Sequence, residues 1–513
     1  MTRTGDKALP SPADPARSRR RILGRLLPAL LATWLVGGTL PVAADLGASR
    51  AQDTFLALGA GAAAPRSPLA GATPDIVLLV IDDLPQMDAR VWSRLPTIRR
   101  LFLEQGTRFT EYSGNDPLCC PGRATLLTGQ RTVHHGVRHN DARAFDPRVT
   151  LATELQDQGY HTIYAGKYFN GTDRLVDKTP PGWDHALLYS GGYWNVPLWK
   201  DGVRLRSGEV DEDYTTDMIR RIAMGWLRRA PADAPLLLTL NPFAVHSGVD
   251  ASGRSAGYEQ PTPAPRHRGD ARCAGITPWR PSSYLEADRS DKPAFVREAE
   301  RIPYTLGWPM TRICESLLSV DEILAAVDEQ LRRQGRDDVL FVLTADNGMG
   351  FGAHGWAKKR VPYATSMPLL MHWPAGLGST PRAIRSTASN LDIAPTLCAV
   401  AGCAMGPFPD GDPVDGLSLL PLLDRTVTRL PRDVLIEEHH TRYSGPRWVG
   451  IRTTVGSSLG RWVWTRYETG EEELYDLRRD PAQLVNVAAD PAHAMIKATL
   501  EARLQELMAR RRR

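Results

Sequence analysis

Three long apolar runs in the chain end abruptly in acidic or polar residues. Ile76–Ile81 reads IVLLVI and runs straight into Asp82-Asp83; Leu236–Leu240 ends in Asn241; Val339–Ala345 ends in Asp346-Asn347-Gly348. Continuous rather than alternating hydrophobicity predicts strands buried on both faces of a parallel sheet. The polar ends then fall on the carboxyl edge, where open α/β sheets bind ligands. Tyr160–Asn170 predicts a further strand running into a glycine turn at Gly166-Lys167. Helices are expected over 95–105, 149–158 and 310–334. The last carries Leu317, Val320, Ile323, Leu324, Val327 and Leu331 along one face. Residues 250–300, rich in Pro, Arg, Gly and Ser, show little periodicity, as expected of a substrate-side insertion. From about Arg432 the pattern changes to short strands at 433–438, 448–453 and 461–467, then Glu473–Leu477 and a final helix.

Adjacent carboxylates at a buried strand end repel one another unless a cation neutralises them. Asp82 and Asp83 are therefore read as metal ligands rather than caps. The stretch Asn115–Gly129, NDPLCCPGRATLLTG, supplies the candidate chemistry. Pro121 suits the first turn of a helix, which continues through Ala124, Leu126 and Leu127 to a stop at Thr128-Gly129. Cys119 is placed just before that helix, where backbone N–H groups and the dipole favour an anion. Arg123 adds a fixed positive charge one turn on.

Cys119-x-Pro121-x-Arg123 followed by Ala124-Thr125-Leu126-Leu127-Thr128-Gly129 closely resembles the sulfatase signature, with Gly122 where the family usually has serine. The resemblance runs from about 74 to 490. It implies an alkaline-phosphatase-like α/β fold, with a large mixed, mostly parallel sheet flanked by helices and a small C-terminal antiparallel α+β subdomain. It also implies hydrolysis of sulfate monoesters by Cys119 oxidised to formylglycine, and one Ca2+ or Mg2+ held by Asp82, Asp83, Cys119, Asp346 and Asn347. Oxygen-bearing side chains on two strand ends suit a hard cation. Lys167 resembles the Gly-Lys element that contacts sulfate, Lys359 the second sulfate-binding lysine, and His246 the active-site histidine. With Cys119 and Arg123 these form the implied catalytic set. Phe169 stands where many members have a histidine, as in the glucosamine-6-sulfatase branch. His135 and Asn170 are carried as substrate-binding residues, a structural role for His135 fitting equally. Two readings remain beside the sulfatase: a phosphonate monoester or phosphodiester hydrolase of the same superfamily, and a non-catalytic glycan-binding relative.

Composition changes the picture little. Among 513 residues, 42% are hydrophobic and 24% charged, as in a soluble enzyme. The net charge of +5 is inflated by arginines near both ends and makes no case for nucleic-acid binding. Arg19-Arg20-Arg21 followed by an apolar run to Ala44 reads as an export signal, resembling the twin-arginine type, with a membrane anchor only if it stays uncleaved. The expected organisation is 1–44 signal, 45–73 linker, 74–430 catalytic domain and 431–505 C-terminal subdomain. Expected partners are a sulfated small-molecule or glycan substrate and a formylglycine-generating enzyme. Six cysteines fit an exported chain with at most two disulfides. Cys398 and Cys403 are close enough for a small loop, and Cys273 with Cys314 is a looser pairing.

Overall fold

The structure, a computed structural model, describes residues 67–87, 89–174, 179–439 and 445–509. The expected signal and most of the linker lie outside the described residues.

The apolar runs form the middle of a ten-stranded sheet. Its strands are β1 (Asp75–Ile81), β2 (Thr107–Ser113), β3 (His161–Lys167), β4 (His185–Tyr189), β5 (Pro197–Lys200), β6 (Val203–Arg206), β7 (Leu236–Asn241), β8 (Val339–Ala345), β9 (Leu369–His372) and β10 (Arg382–Ser389). They lie in the order β10-β2-β9-β8-β1-β7-β3-β4-β5-β6. β8, β1, β7, β3 and β4 are mutually parallel, while β9 is antiparallel to both its neighbours and β5 and β6 extend the far edge antiparallel. Every residue of β1, β7 and β8 is buried. That is why these runs lack alternation: helices cover both faces.

Because β8, β1, β7 and β3 are consecutive and parallel, their carboxyl ends share one edge. Asp346-Asn347, Asp82-Asp83, Asn241 and Lys167 are thereby brought side by side from positions up to 265 residues apart in sequence (347 − 82). Helix α1 (Cys119–Thr128) points its first turn at this edge. Other covering helices are α2 (Thr215–Leu227), α3 (Thr311–Arg333) and α4 (Ile393–Ala401), and α2 packs against α3. The expected helix over 95–105 instead starts at Pro96 and continues from Arg99 to Glu104 in a wider π-type winding. Residues 250–300 contain only short helical turns and are tied to α3 by the Cys273–Cys314 disulfide, while Cys398–Cys403 closes the turn after α4.

The C-terminal strands β11 (Val434–Glu438), β12 (Trp448–Arg452), β13 (Trp462–Tyr467) and β14 (Glu472–Asp476) form a separate antiparallel sheet in sequence order. Its two faces bury different clusters. One holds Ile436, Trp448 and Tyr467; the other holds Trp464 and Leu474 against Leu500 and Leu504 of the last helix, α5 (Ala494–Ala509).

Candidate active site

Cys119 is the first helical residue of α1, one position further in than expected, with Leu118 as its cap. Its Sγ lies 3.0 Å from Lys359 Nζ and 3.8 Å from an oxygen of each of Asp82 and Asp83. The helix can approach so closely because residue 122 is glycine. A Cβ there would fall 2.0 Å from the Asp346 carbonyl oxygen. Gly166 does the same one layer over: at φ +138° it packs against Asn241, where a Cβ would meet the carbonyl oxygen at 2.0 Å. Both contacts draw the ligand-bearing strand ends together.

Charge around the thiol is dense and ordered. Lys167 Nζ sits 2.6 Å from Asp82 Oδ2, Lys359 Nζ donates to Asp83 Oδ1, and His246 Nε2 faces Asp83 Oδ2 at 3.3 Å. The His246 Nδ1–H donates to the Ser247 carbonyl at 2.7 Å, so Nε2 is the nitrogen turned to the site. Arg123 Nε donates to Asp346 Oδ2 at 2.9 Å, and its Nη1 donates to the Lys167 carbonyl and to Asn241 Oδ1. Asp346 Oδ1 accepts from the Asp83 and Asn347 backbone N–H groups, and Asn347 Nδ2 donates to Asp83 Oδ1 at 2.7 Å.

These contacts set the ionisation states. Burial opposes the charge on Asp83, but His246 and Lys359 outweigh it and hold the carboxyl well below the usual range; Lys167 and His246 do the same for Asp82. Burial and the Asp82 charge push Asp346 up to about 7. Burial pushes the Cys119 thiol up to about 12 despite both lysines, so the unmodified side chain is a neutral thiol and a poor nucleophile. Burial pulls His246 below its ordinary value against the pull of the two aspartates.

The oxygen donors of this site fit a hard divalent cation, with one thiol and one imidazole in the same group. Asp82, Asp83, Cys119 and His246 each bring a ligating atom within 4.8 Å of the others. Asn347 Oδ1 is buried with no hydrogen-bond partner, an acceptor waiting for a positive charge. Among the acidic, thiol and imidazole side chains, Asp346 thus stands beside the tightest group rather than inside it, while His246 is part of it. Two buried donors, Arg123 Nη2 and Asn241 Nδ2, also lack hydrogen-bond partners and suit an anion.

Two expected residues are used differently. His135 is not in this group. Its Nδ1 accepts from the Val137 N–H and its Nε2–H faces Thr125 Oγ1 at 3.2 Å, which ties it to the outer turns of α1. Asn170, half-buried, offers its backbone N–H to Cys120 Sγ at 3.2 Å, and both cysteines are free. Phe169 is fully buried against Phe145 and Tyr168, filling core where many relatives place a histidine. In the sequence Asn241 stands out only as the polar end of a mostly apolar strand, with no site role attached, and nothing singles out Asn140, whose Oδ1 accepts from the Cys120 N–H.

The sulfatase family model matches residues 74–403, all ten strands of the large sheet and the whole site. The chain belongs to the sulfatase family. A second model, N-sulphoglucosamine sulphohydrolase, C-terminal, matches residues 352–510 of this sulfatase-family chain. Similar proteins include an extracellular sulfatase SULF-1 homolog of Drosophila melanogaster (28% identity, 68% of this chain, 31% of that one). Another is an arylsulfatase of Chlamydomonas reinhardtii (27%, 85% and 74%). A third is an N-acetylglucosamine-6-O-sulfatase of Bacteroides thetaiotaomicron (24%, 84% and 86%). The chain spans 31% and 49% of the length of the fly protein and of a putative worm homolog. Among solved structures, a complex with D-glucosamine-2-N,6-O-disulfate has a TM-score of 0.66 at 22% identity, covering 85% of this chain and 98% of that one. A phosphonate monoester hydrolase of Agrobacterium radiobacter has 0.58 at 19%, covering 85% and 95%. At these identities the structures establish the shared fold.

Proposed function

We propose that the chain hydrolyses sulfate monoesters of aryl or carbohydrate alcohols. Formylglycine made from Cys119 would supply a hydrated aldehyde as nucleophile, and a Ca2+ or Mg2+ held by Asp82, Asp83, Asp346 and Asn347 would supply positive charge at the sulfuryl oxygens. The observation that carries this reading is the setting of Cys119 Sγ: at the head of a buried helix, 3.0 Å from Lys359 and 3.8 Å from the two adjacent aspartates.

Three fixed cations, Arg123, Lys167 and Lys359, face three carboxylates, Asp82, Asp83 and Asp346. A divalent ion and a monoanionic ester would together add one positive charge to this field, which ionisation of the nucleophile would cancel. Arg123 Nη2 and Asn241 Nδ2 are preorganised donors for sulfuryl oxygens, and such buried donors are each worth roughly 3 kcal/mol of transition-state stabilisation. Lys359 Nζ would protonate the departing alcohol; His246, whose proton sits on Nδ1, could do so only as the imidazolium. A thiol that burial keeps neutral supports a reading in which Cys119 acts only after modification.

The relatives' names support a sulfated saccharide or aryl substrate, and those named extracellular support export through the 1–44 segment. The proposed division is 74–430 for the catalytic domain and 431–505 for the C-terminal subdomain. The test combines the mass of the Cys119-bearing peptide from native-host protein with turnover of an aryl sulfate and an aryl phosphodiester. An aldehyde and preferential sulfate release are expected. Faster phosphodiester cleavage would favour the hydrolase alternative, and unmodified cysteine without turnover would leave a binding relative.

A further inference from the structure

Lys359 stands at one foot of a hairpin whose other foot runs on from Asn347-Gly348. The Gly350 N–H donates to the Lys358 carbonyl at 3.0 Å, Phe351 to Ala357 at 3.1 Å and Gly352 to Trp356 at 2.9 Å, so the chain folds back on itself between the two feet. His354 and Gly355 turn the tip, with φ +51° and +73°. Part of the irregular 250–300 segment closes round that tip. The His354 N–H donates to the Ser283 carbonyl at 2.6 Å and the Leu285 N–H to the Gly352 carbonyl at 2.9 Å. Arg289 Nη1 donates to the His354 and Val296 carbonyls at 3.2 and 3.0 Å. Beneath these contacts three ionisable side chains are buried in a row. The His354 Nδ1–H donates to Glu286 Oε2 at 2.7 Å, and Lys292 Nζ lies 3.6 Å from the same oxygen. Lys292 is itself fixed by Asp291 at 2.7 Å and by the Leu484 carbonyl at 2.8 Å. The tip in turn grips the Lys359 turn from two sides. The His354 ring packs on Tyr363 with centroids 4.2 Å apart, and the Trp356 indole N–H donates to the Lys359 carbonyl at 3.0 Å.

We propose that Glu286 and His354 are positioning residues for Lys359, and that the 283–297 stretch acts on the reaction through them. The proposal rests on the sulfate-ester reading, in which Lys359 protonates the departing alcohol. A lysine ammonium rides on a flexible four-carbon stem, so its placement depends on how firmly the backbone beneath it is held. A histidine at positive φ persists only where its surroundings hold it, and here the Glu286 carboxylate supplies that hold. Because Glu286 serves a buried imidazole and a buried ammonium at once, removing it leaves both under-paired and frees the tip. A displaced acid has a particular kinetic signature. Proton delivery matters in proportion to the basicity of the leaving group, so phenyl sulfate should suffer more than 4-nitrophenyl sulfate, whose phenolate departs without a proton. General loosening of the fold would slow both esters alike.

The experiment measures kcat and KM of the formylglycine-bearing full chain on these two esters, for the native sequence, Glu286→Ala, Glu286→Gln and His354→Phe. Glu286→Ala should lower kcat on phenyl sulfate by about tenfold and on 4-nitrophenyl sulfate by no more than about twofold. Glu286→Gln keeps an acceptor for the His354 Nδ1–H and should recover most of that loss. His354→Phe keeps a ring against Tyr363 and removes only the bond to Glu286. It should show the same selective loss, and it decides the matter if Glu286→Ala does not fold. Equal losses on the two esters, or a lower Tm with both kcat values intact, overturn the positioning role while native turnover leaves the sulfatase reading standing. Absence of native turnover on both esters overturns that reading and the proposal with it.

Discussion

Arg123 shows how much one side chain is asked to do. It is almost wholly inaccessible, and its guanidinium spans Asp346, the Lys167 carbonyl and Asn241, with Nη2 free of hydrogen bonds but 3.7 Å from Asp82 Oδ2. A lysine there keeps the charge but cannot make a planar fork of donors. Arg123→Lys is expected to lower kcat on an aryl sulfate by about 10²–10³-fold, read by steady-state kinetics on protein whose aldehyde content has been checked. His135 makes the opposite point, since its chemistry is local. Burial holds its folded-state pKa down at about 3, against an ordinary 6.5, and Val137 and Thr125 define its neutral tautomer. The unfolded chain therefore binds the proton more readily. The stability contribution of this group is complete above about pH 6.5 and is lost as pH falls toward about 3, by at most about 1.4 kcal/mol per pH unit. Urea midpoints measured from about pH 7.5 to about pH 5 should fall more steeply for the native sequence than for His135→Gln. Equal slopes would show that another group dominates the acid limb.

At the scale of elements, the proposed cation site is made by two strand ends. β1 delivers Asp82-Asp83 and β8 delivers Asp346-Asn347, and their parallel register sets Ile81 opposite Ala345. This much was legible in the sequence, because an apolar run ending in carboxylates has few other uses. What the linear pattern could not show was side-chain direction. Both Asp346 oxygens are engaged by backbone N–H groups and Arg123, so it lies beside the closest group of ligating atoms, and His246 lies within it. Nor could apolar periodicity distinguish ordinary winding from the wider winding at Arg99–Glu104. Asn140 was hidden for a different reason, since its partner, the Cys120 N–H, comes from another element. If the converging carboxylates hold the proposed cation, it is a structural ligand as well as a chemical one. Chelation should abolish turnover and lower Tm, and Ca2+ or Mg2+ at about 100 times its Kd should restore about 2.7 kcal/mol of stability. The same titration on Asp82→Asn should show little ion-dependent change in Tm; a full-sized response would place the cation elsewhere.

For the whole molecule, the question is why a sulfate-handling site needs the C-terminal sheet at all. The loop that carries Lys359 rests on that sheet. The Trp448 indole N–H donates to the Arg360 carbonyl at 3.2 Å, Arg360 Nε approaches Glu438 at 3.3 Å, and Tyr363 donates to Glu473. Glu473 is buried and also accepts from Tyr467 and from Tyr475, the latter at 2.6 Å. One carboxylate thus gathers three tyrosine hydroxyls and fixes the loop four residues after the lysine. The match of a single family model to residues 352–510 spans this loop and the sheet together. Through these contacts the sheet braces the loop that carries Lys359, whose ammonium lies within reach of both Asp83 and Cys119. Trp448→Phe keeps the ring in its cluster and removes a single hydrogen bond, a loss of about 1 kcal/mol. If the sheet positions Lys359, kcat on an aryl sulfate should fall severalfold while Tm changes by only a few degrees, and KM should move little. If the sheet only adds stability, Tm should fall by the same amount with kcat intact.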